Sequence, residues 1–167
     1  PTPAPAPTPA PPAPVPAPAP APATTQLCGD MNQLLTLINQ FRSQAQTCSG
    51  KPMPAVPALS WNSVLANAAG RHSGDMALNN FFSHNGSDQS DPGARISAAG
   101  YRFSYWAENI AAGSSTAAAT FGQWRDSTSG HCEAMMSPHA TEAGASCVSR
   151  QGAAYTWYWT LNLGRPL

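Results

Sequence analysis

The chain is poor in charge. Of its 167 residues, eight are Lys or Arg and eight are Asp or Glu, for a formal net charge of zero. Lys51 is the one lysine. So few cations cannot build the basic face that phosphate binding needs, which argues against nucleic acid as a partner. No apolar run approaches the ~20 residues of a membrane span. CxxC and HExxH are both missing, so no short motif announces a zinc or redox site. Charge is absent altogether from residues 1–26, where Pro alternates with Ala, Thr or Val. Proline lacks a backbone donor, and such a segment has almost nothing to bury. It is expected to be a disordered, semi-rigid polyproline II spacer, reaching roughly 70 Å at about 3.1 Å per residue. A role as a ligand for aromatic-groove domains is less favoured, because no Arg or Lys flanks it. The chain opens without Met or a signal peptide, as a mature or trimmed form does.

What is present is a domain at 27–167, long enough for a real core. Its four cysteines, Cys28, Cys48, Cys132 and Cys147, are an even set. With a Pro-rich spacer beside them, they favour an exported, oxidising setting. They allow three connectivities. The simplest is sequence-local, Cys28 with Cys48 and Cys132 with Cys147, each closing a loop of about 15 to 20 residues. Two cysteines that far apart on a straight helix would be about 30 Å apart. For that pairing the first helix must end well before Cys48 and the chain turn back, or Cys28 must fold over.

Met31, Leu34, Leu35, Ile38 and Phe41 recur at helical steps, with Asp30 near the start and Arg42 toward the end. Gly50, Pro52, Pro54 and Pro57 mark a loop. Ser60 is expected to cap a second helix to about Asn79, with His72 as a solvated or half-buried member. Asp91-Pro92 begins a short helix that ends at Gly100. Another helix runs from Thr116 to about Asp126, and His131 to Met136 is a helical turn. Residues 143–150 and 154–163 read as two strands. Helices precede strands without a βαβ alternation, which points to an α+β domain with an antiparallel sheet.

The stretch Tyr105-Trp106-Ala107-Glu108-Asn109-Ile110 places a carboxylate in apolar surroundings. Burying it demands a partner. Histidine suits that role, and the chain has His72, His84, His131 and His139. His84 follows the apolar anchor Phe81-Phe82 and enters a polar loop. His139 reads as exposed loop. Ser83 and Ser129 adjoin histidines in sequence, but sequence neighbours rarely face one another correctly, so a serine or cysteine hydrolase is not favoured.

An ordered series then becomes visible. It comprises Phe82-Ser83-His84, Asp91-Pro92-Gly93-Ala94-Arg95-Ile96, Ala99-Gly100-Tyr101 and Ala107-Glu108-Asn109-Ile110-Ala111. Trp124 leads to Ser129-Gly130-His131-Cys132, followed by Thr141-Glu142-Ala143-Gly144 and Tyr158-Trp159-Thr160. This series resembles the CAP superfamily of cysteine-rich secretory proteins, venom antigen 5 and plant pathogenesis-related proteins, and most of all its bacterial secreted branch. The resemblance implies a three-layer α-β-α sandwich. It also implies a cleft where two His and two Glu can bind zinc or another divalent ion. His84 matches the first histidine and Glu108 the first glutamate. Ser127 stands where the second glutamate would be. Gly130-His131 matches the bacterial Gly-His.

His84, Glu108 and His131 are thus the candidate metal ligands, with Ser127, Asn109 and Trp124 as candidate cleft-lining residues. Two His and one carboxylate could hold zinc with water in the fourth position. Three readings follow. The first is a secreted, monomeric, non-enzymatic binding module for a lipid, sterol or protein ligand, localised outside the cell or in the periplasm. The second is a zinc-dependent hydrolase acting on peptide or envelope material. The third is a polar cluster that serves only the fold.

Overall fold

The computed structural model describes residues 24–167. The expected Pro/Ala spacer lies outside them, except for its last three residues. Strand β1 (Thr25–Cys28) already begins within those three. The order continues as α1 (Met31–Arg42), β2 (Gln46–Cys48), β3 (Lys51–Met53), β4 (Ser60–Trp61), α2 (Ser63–Asn79) and α3 (Pro92–Ala98). Then come β5 (Phe103–Ala112), α4 (Ala117–Arg125), α5 (His131–Met135), β6 (Glu142–Arg150) and β7 (Trp157–Pro166).

The main sheet runs β1-β6-β7-β5, antiparallel throughout, with β4 added to β6 in parallel. Helices α1 and α4 pack on one face, where Leu34, Ile38, Phe121, Trp124 and Met135 meet Ala145, Trp159 and Leu161. Helix α2 covers the other, through Met76 and Ala77 against Ile110, Val148 and Tyr158. The architecture is the expected α+β, three-layer α-β-α sandwich. Strand β5 ends the sheet, so one of its edges is open among the described residues.

Local chemistry sets the helix starts. Asp30 and Asp91 cap α1 and α3 by accepting from Gln33 N and Ala94 N. The cap of α2 is Asn62, not Ser60; its side chain accepts from Val64 N and Leu65 N. Ser60 lies instead in β4, beside Glu142 of β6. Gly144 lets α2 approach the sheet, because a Cβ there would collide with the backbone of Asn62 to Ala66. Arg42 is fully buried; its guanidinium donates to the carbonyls of Pro57, Met135, Ser137 and Ala140, locking α1 to two loops.

The sequence-local disulfide pairing is overturned. The bonds are Cys28–Cys147 and Cys48–Cys132, with Cα–Cα distances of 4.9 and 5.5 Å. Cys28 and Cys48 lie beyond opposite ends of α1, too far apart to pair with each other. The edge strand β1, unforeseen in the sequence, sets Cys28 directly across from Cys147 of β6. These bridges span 119 and 84 residues. In the chain-entropy picture each is worth about 4.5–5 kcal/mol, against about 3 for a local bridge.

Candidate functional site

The free edge of β5 organises the site. Glu108 sits on β5 opposite Asn162 of β7. Its carboxylate is only 2 % exposed, and both oxygens are committed. Oε1 accepts from Nδ1 of His84 at 2.8 Å, and Oε2 accepts from Nη2 of Arg95 at 2.8 Å. Arg95 on α3 also donates to Ser90 O, which fixes the guanidinium from a second side. The partner that Glu108 required is therefore Arg95 as much as His84. Nothing in the spacing alone marked Arg95 for that role.

His72 is the second residue the sequence misplaced. It is fully buried rather than solvated. Its Nε2 donates to Ser83 O at 2.8 Å and lies 4.0 Å from Glu108 Oε1. Burial holds its pKa below the ordinary histidine value, and the Arg95 charge adds to the lowering against the pull of Glu108. Leu65, Ala68, His72 and Met76 share one helical face, and that spacing was the available signal.

His131 belongs to a different cluster. It opens α5, held by Asn109, whose amide donates to the His131 carbonyl at 3.0 Å. Its Nδ1 meets the Ser127 hydroxyl at 2.7 Å. Ser127 Oγ also accepts from Ser129 N at 3.0 Å. That leaves the hydroxyl its proton and a second lone pair for the contact with His131. Burial lowers the His131 pKa, and the nearby charge of His84 lowers it further, against a smaller opposing pull from Glu133.

Beside the His131 cluster lies a cleft of about 240 Å³, lined by Phe82, Ile110, Trp124, Tyr155, Ser127 and His131 among others. Ile110 O accepts from Trp124 Nε1 at 2.9 Å, which holds α4 against β5. The Phe82 and Tyr155 rings, 44 % and 48 % exposed, tilt together at the mouth with centroids 5.7 Å apart. Trp124 and Ser127 line this cleft. Asn109 is buried beneath it and acts through the His131 backbone. His139 is exposed, resting near the Tyr105 ring. A larger cleft of about 380 Å³ between α2 and α3 is walled by Arg71, His72, Asp75 and Arg95. Several of its polar groups are already bonded within the protein: Asp75 accepts from Ser87 and Asn79, and Arg95 serves Glu108 and Ser90.

The one carboxylate of the expected metal set is already committed within the protein. Glu108 has both oxygens engaged, one of them by a cation 2.8 Å distant. His84 directs Nδ1 to Glu108 and His131 directs Nδ1 to Ser127, which leaves Nε2 as the coordinating atom of each ring. Ser127 offers a neutral hydroxyl in place of a carboxylate. Among the described residues, no three His, Cys, Asp or Glu side chains are grouped to hold a metal. No helix among them is long and apolar enough to cross a membrane.

Comparison with known proteins agrees with this architecture. An extracellular protein containing an SCP domain from Bacillus anthracis is 30% identical, with a TM-score of 0.65 over 81% of this chain. This chain spans 40% of that protein's length. An outer surface protein of Borrelia burgdorferi shares the fold at 16% identity, with a TM-score of 0.66 over 82% of this chain and 92% of that one. A venom allergen-like protein of Schistosoma mansoni shares it at 13% identity and a TM-score of 0.53, over 81% of this chain and 85% of that one. No curated protein matches at a significant level. The family model of the cysteine-rich secretory proteins matches residues 35–163, so the chain belongs to the CAP family.

Proposed function

We propose that this CAP domain is an exported binding module whose cleft at the β5 edge takes an apolar ligand of the lipid or sterol class, without a bound metal. The observation that carries the reading is the make-up of the cleft. It is apolar along Ile110 and Trp124, open at the Phe82–Tyr155 rings, and polar chiefly at Ser127 and His131. Such a site receives a chain or ring and hydrogen-bonds one hydroxyl or carbonyl. Its volume is below that of pockets that enclose whole drug-sized molecules. One end of the ligand therefore enters, and the rest lies over the two exposed rings.

Export is supported by the two disulfides, which persist in oxidising compartments, and by a structural relative described as extracellular. A protein ligand could insert an apolar side chain into the same cleft. Competition between the lipid and that protein would separate the two. The zinc-dependent hydrolase reading has no support in the donor set, because Arg95 already neutralises the one carboxylate. The structural reading applies to His84, Glu108 and Arg95 themselves.

The test is titration of the full chain with a fluorescent fatty acid and a fluorescent sterol. Saturable binding of either is expected, weakened about tenfold when Phe82 and Tyr155 are both changed to Ala, a loss of ~1.4 kcal/mol. Absence of saturable binding by both probes would remove the proposal.

A further inference from the structure

We infer that Ser127 and His131 are a nucleophile and its general base, and that the cleft carries a metal-free acyl-transfer activity on esters of short apolar acids. This goes beyond the binding proposal and rests on it, because the acyl group would occupy the same cleft.

Ser129 N–H can only donate, so Ser127 Oγ accepts there, and its own proton is free to go to His131 Nδ1, 2.7 Å away. In that tautomer His131 presents an unprotonated nitrogen to a hydroxyl, which is the geometry of nucleophile activation. Burial and the charge of His84 outweigh the pull of Glu133 and disfavour the protonated ring, so the base is free at neutral pH. Backbone geometry holds the pair together. Gly130, at φ 89°, turns the chain into α5, and Asn109 pins the His131 carbonyl to β5. Both side chains line the apolar cleft and are partly exposed, so a substrate can reach them.

The chemistry balances without a cofactor. Ser127 Oγ attacks the ester carbonyl as its proton passes to His131 Nδ1. The tetrahedral adduct collapses, the C–O bond to the alcohol breaks, and the alcohol leaves with that proton. Water then attacks the acyl-serine with His131 as base, releasing the acid and restoring Ser127. The described residues place no carboxylate in an ion pair with His131, so no third group orients the imidazole. Turnover is accordingly slow, and the covalent adduct is the sensitive readout.

The experiment treats the full chain with an alkyl fluorophosphonate and measures intact mass, alongside hydrolysis of p-nitrophenyl butyrate. One adduct is expected, mapped to the peptide holding Ser127, with fluoride as the leaving group. Ser127→Ala removes it, and His131→Gln slows its formation about 100-fold. Ser63→Ala, on the exposed first turn of α2, leaves it unchanged. The wild-type rate rises with loss of one proton, at a midpoint below the ordinary histidine value of about 6.5. A merely structural pair would give no such profile. Melting curves check that each variant is folded. Adduct formation that persists in Ser127→Ala overturns the inference. A wild-type chain that binds the fatty-acid probe but forms no adduct overturns it alone. Failure of both adduct and probe overturns the binding proposal as well.

Discussion

The two histidines at the β5 edge meet opposite fates. His84 lies in a charged cluster in which Glu108 is held by two partners. His131 lies in a neutral cluster, beside a hydroxyl, with an apolar cleft in front of it. The first arrangement is costly to build and costly to break. A desolvated carboxylate needs its guanidinium, and the pair specifies where α3 sits against β5. The second has no ion pair of its own and stays accessible. On the proposed reading the two sides divide the labour, one holding the fold and the other meeting the ligand. Ser127 is what converts the His131 side.

The largest effect should come from breaking the charged side. Glu108→Ala leaves Arg95 buried without its counter-ion, and about 3–5 kcal/mol of stability should be lost in denaturant unfolding. A loss under 1 kcal/mol would mean the cluster is not holding the fold. Next, changing Cys48 and Cys132 together to Ser should cost about 2–4 kcal/mol, because the Cys28–Cys147 bridge still restrains the unfolded chain around them. Cys132 adjoins His131 on α5, so this variant should also weaken probe binding, while hydrogen exchange near Glu108 stays slow.

The pH response comes third and involves both sides. His72 and His131 have pKa values below their unfolded values, so the unfolded chain binds more protons as the solution acidifies. Their contribution is fully present above about pH 6.5, the unfolded value. It is lost as pH falls through their lower folded values. The melting temperature should therefore drop between pH 7 and 5, and His72→Gln should flatten that slope. The smallest effect should be His84→Ala. His84 is about half exposed, and Arg95 still serves Glu108, so the cost should stay below ~1 kcal/mol.

The layered fold and the residues at the β5 edge were legible in the sequence because they sit in short ordered motifs. Glu108 announced itself as a carboxylate among apolar neighbours. Its main partner did not, because Arg95 reaches it from a separate helix, and helical spacing says nothing about contacts between elements. His72 was legible in principle, lying on the buried stripe of α2 with Leu65, Ala68 and Met76. The disulfides failed for a different reason. Sequence proximity favours local pairs, whereas β1 crosses to β6 and brings together cysteines 119 residues apart. A four-residue edge strand at the end of a Pro-rich segment carries too little pattern to be seen. The Ser127–His131 contact depends on the turn at Gly130, which no side-chain periodicity encodes.

The most direct measurement is fatty-acid probe binding by the full chain with zinc, with a chelator, and in the His84→Ala and Tyr155→Ala variants. The account predicts saturable binding that ignores zinc and chelator, survives His84→Ala, and weakens several-fold in Tyr155→Ala. Binding that requires zinc, or that disappears with His84, would contradict the division between a fold-holding side and a ligand-meeting side.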